Sequence, residues 1–216
     1  MTISTRKERQ KEELKAKILQ TAKELFMEHG YEATSIRNIA ERIEYSPTTI
    51  YLYFKDKDDI FYALHREGFV LLNQYFRPLS HVANPFERLK AISKAYITFA
   101  IENGELYDLM FILQSPMDAL KKDKSDKKDD PDWEEGNRAF AFLVNTIEEC
   151  IAMGSFKGMN AEILAFTTWS MVHGVCSLEI RNRCSVISEL NQKDLAQRAC
   201  EMINEILDRS HNYTPS

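Results

Sequence analysis

TSIRNIAERIEYSPTTIYLYFKDK, residues Thr34–Lys57, divides into two short helices joined by a tight turn. Ile36, Ile39, Ala40 and Ile43 recur at i, i+3, i+4 and i+7, which gives the first helix one apolar stripe and a wet face carrying Arg37 and Arg42. The second opens on Ser46, whose hydroxyl accepts from the unpaired N–H groups of the next turn, and Pro47, whose missing N–H costs nothing at the first helical position. Ile50 and Phe54 then point inward, with Pro47, Thr48, Tyr51, Leu52 and Lys55 opposite and Thr49 and Tyr53 on the flanks. A helix of about seven residues does not persist alone in water, so packing must hold it. Its outer face of hydroxyls, phenols and apolar edges suits a duplex, where hydroxyls reach phosphates and base edges and carbons meet thymine methyls. A helix-turn-helix sets its second helix in the major groove this way. Two ordinary surface helices around an aromatic core pair would show the same periodicity.

Outward from this stretch, Gly30-Tyr31-x-x-Thr34-x-x-x-x-Ile39-Ala40 followed by Ser46-x-x-Thr49-Ile50-Tyr51-x-Tyr53-Phe54-x-x-Lys57-x-x-Ile60 resembles the DNA-binding domain of the TetR family of transcriptional repressors, densely over Leu14–Leu64. The resemblance implies an all-helical homodimer that binds a palindromic operator as double-stranded DNA and releases it when a small ligand occupies the C-terminal domain. It also implies phosphate contacts from Tyr51 and Lys57, with Thr34 or Ser35 reaching the backbone. Arg37, Pro47, Thr48 and Tyr53 are the expected base or groove contacts, with Thr49 beside them and Ser46 as the cap. Glu44 stands where the family carries glycine, and a left-handed backbone there costs a residue with a Cβ about 1 kcal/mol. Trp169-Ser170-x-x-His173-Gly174 is similar to a Trp-His-Gly signature in the C-terminal domain of one subgroup.

The chain of 216 residues is 44% hydrophobic and 28% charged, which places it among soluble globular proteins. Met1–Lys17 is polar with no apolar run of a leader peptide, and Cys150, Cys176, Cys184 and Cys200 show no paired spacing. Both features lead us to expect a cytoplasmic protein with reduced thiols, no metal site and no cofactor. The net charge of −5 is unevenly spread: residues 1–57 hold 11 Lys/Arg against 9 Asp/Glu, and the remainder 17 against 24. The positive excess therefore lies where nucleic acid would bind, and Arg6, Lys7, Arg9 and Lys11 read as a basic N-terminal arm or a frayed, solvated terminus.

The expected architecture is all-α in two domains. Residues 1–57 form a three-helix DNA-binding head containing the helix-turn-helix, and residues 58–216 a larger helical body for ligand binding and dimerisation. A first helix from Glu8 to His29 braces the head. A long helix follows, with Asp56 as its cap, running to Arg77-Pro78; Pro85 opens a third, which Asn103-Gly104 ends. Glu105–Gln114 forms a shorter helix, and the charged run 121–132 reads as a loop. A helix starting at Asp132 or Trp133 runs to Met153. Ala161–Arg181 is apolar on nearly every face, long enough for a membrane span but interrupted by Glu162, His173 and Glu179. With Asp194–Arg209, striped by Leu195, Ala199, Met202, Ile203, Ile206 and Leu207, it is expected to form half of a four-helix dimer interface rather than to enter a membrane.

Aromatic residues of the body mark a candidate effector pocket: Tyr96, Phe99, Tyr107, Phe111, Phe140 and Trp169, with Met110 and His173 as soft and polar points. No Arg or Lys reads as inward there, so the expected ligand is small and largely apolar. The chain lacks a phosphate-cradling glycine loop, a nucleophile elbow and an HExxH helix, so an enzyme is not expected. The competing readings are a helical protein-interaction module, or an enzyme with a pocket around His173 and Glu179.

Overall fold

A computed structural model of the chain describes residues 3–113, 134–186 and 194–211. Among these residues all regular structure is helical: α1 Ile3–His29, α2 Ile36–Arg42, α3 Pro47–Tyr51, α4 Lys57–Phe76, α5 Pro85–Glu102, α6 Gly104–Phe111, α7 Glu134–Ala152, α8 Ala161–Ile180 and α9 Leu195–His211. Short 3-10 turns follow α4 (Arg77–His81) and α8 (Arg183–Val186). The charged run 121–132 lies outside the described residues. The all-α expectation holds throughout them, and the helices group into two compact units.

The first unit comprises residues 1–68 and 105–132. Its core takes in Ile39 and Ala40 of α2 and Ile50 of α3, as anticipated above, together with Ile18, Ala22 and Phe26 of α1 and Ile60 and Phe61 of α4, all buried. Phe26, Tyr31 and Phe61 meet edge-on or tilted at 5.3–5.9 Å between ring centres, and Leu109 of α6 closes the cluster. The first helix begins at Ile3, five residues earlier than expected, so Arg6, Lys7, Arg9 and Lys11 lie on regular helix rather than on an arm.

His65, on α4, is buried beside Phe61, and its Nε2–H donates to the Met110 carbonyl at 3.2 Å. Burial pushes its pKa down to about 4, against the smaller opposing pull of that carbonyl. A histidine held neutral in the fold but free to protonate in the unfolded chain stabilises the protein fully above its unfolded pKa near 6.5. That contribution drains away as pH falls toward 4, by about 3 kcal/mol in all. Urea midpoints measured between pH 7 and pH 4 should fall steeply in the wild type and markedly less in His65→Gln.

The second unit comprises residues 69–104 and 133–216. In it α5 packs on α7, α8 and α9, with α8 between α7 and α9. Asn84 caps α5, its side-chain oxygen accepting from the amides of Phe86 at 2.9 Å and Glu87 at 3.2 Å, as Pro85 occupies the first position. One inward face departs from expectation. Arg88 is buried on α5 and pairs with Glu149 at 2.5 Å, while donating to Thr146 Oγ1 at 3.2 Å and Val82 O at 3.0 Å. The guanidinium is tolerated inside because each edge of its fork has a partner. On α9 the buried row is Ala196, Cys200, Ile203 and Leu207, whereas Met202 and Ile206 of the expected stripe face outward.

Candidate nucleic-acid interface

The helix-turn-helix is set by two serine caps and one strained turn. Ser35 Oγ accepts from the Asn38 amide at 3.2 Å while Asn38 Oδ1 accepts from the Ser35 amide at 2.9 Å, a reciprocal box that starts α2. Apolar periodicity does not reveal that box, although Ser at the cap with a carboxamide three residues on is its local signature. Ser46 Oγ accepts from the Thr49 amide at 3.2 Å and lies 2.9 Å from Thr49 Oγ1, so both side chains serve the start of α3. Between the caps, Glu44 adopts φ +62°. The Tyr45 amide reaches back to Ala40 O at 2.9 Å and the Glu44 amide to Glu41 O at 3.2 Å, which closes α2 in a Schellman turn. The left-handed position anticipated from the glycine substitution is therefore kept. Glu44→Gly relieves the strain at some cost in unfolded-chain entropy, and a stabilisation of up to about 1 kcal/mol is the expected result by thermal or urea unfolding.

α3 is a single helical turn, shorter than the seven or so residues expected. Ile50 is fully buried and Phe54 nearly so, and these two anchors fix which side faces out. Pro47 and Thr48 are exposed, Tyr51 is 56% exposed and Leu52 75% exposed, while Thr49 and Tyr53 sit half-buried at the flanks. Ser35, Arg37 and Ser46 are also exposed, and Arg37 pairs along its own helix with Glu41 at 2.8 Å. These side chains all reach the solvent, those of α3 on the side opposite Ile50 and Phe54. Leu52 belongs with them by exposure, although only its helical position and no specific contact role was read from the sequence.

Two expected contacts are placed differently. Thr34 is 2% exposed, its hydroxyl within reach of Gly30 O at 2.9 Å and Leu25 O at 3.1 Å, so it staples the α1–α2 link from inside and leaves Ser35 as the outward hydroxyl. Lys57 Nζ donates to Tyr31 O at 2.8 Å and lies 4.0 Å from the centre of the Tyr31 ring. The Tyr31 hydroxyl in turn donates to Asp58, and burial, together with that hydrogen bond, drives its pKa upward. Lys57 is thus a brace between the start of α4 and the end of α1, and one of its three N–H groups is committed to that brace.

The eight residues expected around an effector separate between the two units. In the second, Tyr96 OH lies 3.1 Å from His173 Nδ1, and Trp169 stacks edge-on against His173 at 5.7 Å and Phe140 at 6.3 Å. Phe99 is fully buried on Tyr75, 5.7 Å between ring centres. Tyr107, Met110 and Phe111 belong to the first unit, with Tyr107 and Phe111 5.3 Å apart. Burial lowers the His173 pKa, with Arg181 adding to the effect, and both favour the neutral imidazole beside Tyr96. The thiols of Cys150 and Cys176 are pushed up by burial to about 11 and about 12, and Cys150, Cys176, Cys184 and Cys200 are free thiols in the structure. Among the described residues no group of His, Cys, Asp and Glu is arranged to hold a metal ion.

Comparison with known proteins gives this geometry a family. Residues 18–64 match the bacterial regulatory proteins of the tetR family, and residues 89–203 match the tetracyclin repressor-like C-terminal domain. The transcriptional regulator HbdR of Aromatoleum sp. (strain CIB) is 27% identical over 163 residues, 75% of this chain and 68% of HbdR. The transposon Tn10 TetC protein of Escherichia coli is 26% identical over 88 residues, 41% of this chain and 45% of TetC, so the match spans less than half of that relative. The transcriptional regulator FadR from Bacillus subtilis, solved in complex with stearoyl-CoA, shares the fold at a TM-score of 0.63 and 17% identity, covering 89% of this chain and 96% of FadR. With matches over both the helix-turn-helix and more than half of the chain's length beyond it, the chain belongs to the tetR family of bacterial regulatory proteins, non-enzymatic helix-turn-helix regulators of transcription.

Proposed function

We propose that this chain is a homodimeric, cytoplasmic transcriptional repressor that lays the outer face of α3 in the major groove of a palindromic operator and is released by a small, largely apolar effector. The observation that carries the reading is α3 itself. One turn of helix is started by the Ser46 cap and held by two buried anchors, and presents Pro47, Thr48, Tyr51 and Leu52 with no charge among them. Tyr51 and Ser35 are assigned to phosphates, with Lys57 offering the N–H groups that Tyr31 does not take. Thr48 and Leu52 are assigned to base edges and thymine methyls, flanked by Arg37, Pro47, Thr49 and Tyr53. We assign DNA binding to residues 1–57, with the α4 and α6 side chains that complete their core, and sensing and pairing to the rest of 58–216.

Dimerisation is supported by the outward face of α8, where Ile163, Phe166 and Leu178 are exposed in the single chain, and by Met202 and Ile206 on α9. The effector reading rests on the Tyr96–His173–Trp169–Phe140 cluster, which offers an apolar wall with one neutral polar pair. An effector there lowers DNA affinity only by preferring a head spacing unlike that of the operator complex.

Titration of duplex DNA at several salt concentrations tests the assignment. Tyr51→Phe should weaken operator and unrelated duplex by the same factor, about five- to tenfold for one hydrogen bond lost per head, with no loss of thermal stability. Lys57→Ala should lower the magnitude of the salt slope by about one unit per head, and it should also lower the melting temperature because the Tyr31 brace goes with it. A changed base preference at unchanged slope would show that these two residues read sequence instead.

A further inference from the structure

Lys17 has no burial to hold it, yet two contacts across the fold fix its ammonium group. It is exposed on α1, beside fully buried Ile18. Lys17 Nζ donates to Ile43 O at 3.4 Å and lies 5.6 Å from the ring centre of Tyr45. Both partners belong to the link between α2 and α3, and an ammonium group suits that place. Ile43 is the C-terminal cap of α2, where carbonyls lack amide partners and the helix dipole is negative. Arg42, the basic residue in the last turn of α2, is already paired with Glu28 at 2.9 Å. Lys17 is thus a cation delivered to this carbonyl from another helix.

The two ends of α3 are held unequally. Its exit is seated by Ile50 and Phe54, both buried. Its entry passes through left-handed Glu44 and then Tyr45, which stays 45% exposed. Tyr45 stands immediately before the Ser46 cap, where an apolar side chain commonly packs on the fourth helical residue and sets the entry angle of the chain. A ring left half in water does not complete that packing, and the Lys17 ammonium lies over it instead. Any shift of this link re-aims Pro47 and Thr48, the first exposed residues of α3. We propose that Lys17 is a positioning residue for sequence reading: through Ile43 O and Tyr45 it fixes the angle at which α3 is presented, and it binds no phosphate itself. The proposal rests on the operator-binding reading above. It assigns part of the discrimination between duplexes to a contact inside the protein.

The test uses the full-length chain, a duplex recovered by selection from a randomised pool, and an unrelated duplex of equal length. Lys17→Met keeps most of the stem and removes the charge. It should weaken the selected duplex about three- to tenfold and the unrelated one by less than about twofold. Its slope of log affinity against log salt should match the wild type, since no phosphate contact is lost. Tyr45→Leu should give the same selective loss. The double variant K17M/Y45L should lose no more than either single variant, because each change breaks the same contact. Lys17→Arg should keep the preference, as a guanidinium both donates and stacks on a ring. A loss shared equally by both duplexes marks a merely destabilised head and overturns the proposal. A slope reduced by about 0.9 per head makes Lys17 a phosphate ligand and overturns it too, as do additive losses in K17M/Y45L. Each of these results leaves the operator reading intact while the wild type still prefers the selected duplex. A wild type without preference for any selected duplex overturns the operator reading, and the positioning role with it.

Discussion

Phe166→Glu is expected to convert the proposed homodimer to a monomer and to remove operator binding at concentrations where the wild type is saturated. Phe166 is 56% exposed in the single chain, on the same α8 face as Ile163 and Leu178, with Ser170 and Gly174 between them. A Cβ added at Gly174 would meet nothing within 4 Å, so the middle of this face is open for close helix–helix approach. In a dimer built on that face a carboxylate at 166 would be buried without a partner, at a cost of several kcal/mol. Separated heads lose the effective concentration that links two half-sites, worth about 10²–10⁴ in affinity. Sedimentation velocity checks the assembly and anisotropy checks the DNA. Because Phe166 is not in the protomer's own core, the variant should remain folded. Ile203→Glu is different: Ile203 is buried within its own chain, so that substitution should unfold the second unit rather than simply separate the protomers.

The second large effect is expected at Phe61, which is 1% exposed and contacts Phe26, Tyr31, Tyr62 and His65 at 5.3–6.2 Å between ring centres. Phe61→Ala removes most of a buried ring and leaves a cavity at the centre of the head, a loss of about 3–5 kcal/mol. α3 has one turn and no stability of its own, so its outer face should become disordered when Ile50 and Phe54 lose their seat. DNA binding should vanish while the dimer persists, the reverse of the Phe166→Glu result. Proteolysis confined to the first unit, read by mass spectrometry, distinguishes this from global unfolding.

How much of this was legible in the chain depended on how local the chemistry is. The caps at Ser46 and Asp56 act on amides three residues away, and each is found doing what its position implied, whereas the Asn84 cap of α5 was not read from the sequence. The left-handed turn at Glu44 was legible because an expected glycine was missing, and the backbone kept the conformation despite the side chain. Longer-range choices were harder. Arg88 looked like surface because it is charged. Yet Pro85, Arg88, Ile92, Tyr96 and Phe99 share one helical row, all buried, and that row shows the guanidinium turned inward. Thr34 and Lys57 were assigned outward by family position, whereas Leu25 O, Gly30 O and Tyr31 O claim their polar groups, carbonyls that no periodicity reveals. The aromatic set of the body divided between two units because hydrophobic spacing tells which residues leave water, not which of them meet.

The central claim is that the face of α3 reads a two-fold symmetric sequence, and selection from a randomised duplex pool tests it most directly, with the wild type and Thr48→Ala run side by side. The wild type should recover an inverted repeat with half-sites spaced near one helical turn, at a dimer per duplex, and should prefer it to unrelated DNA by at least about 10³-fold. Thr48→Ala should relax the preference at one position of each half-site. Recovery of no common sequence, with equal affinity for selected and unrelated duplexes at every salt concentration, would contradict the account.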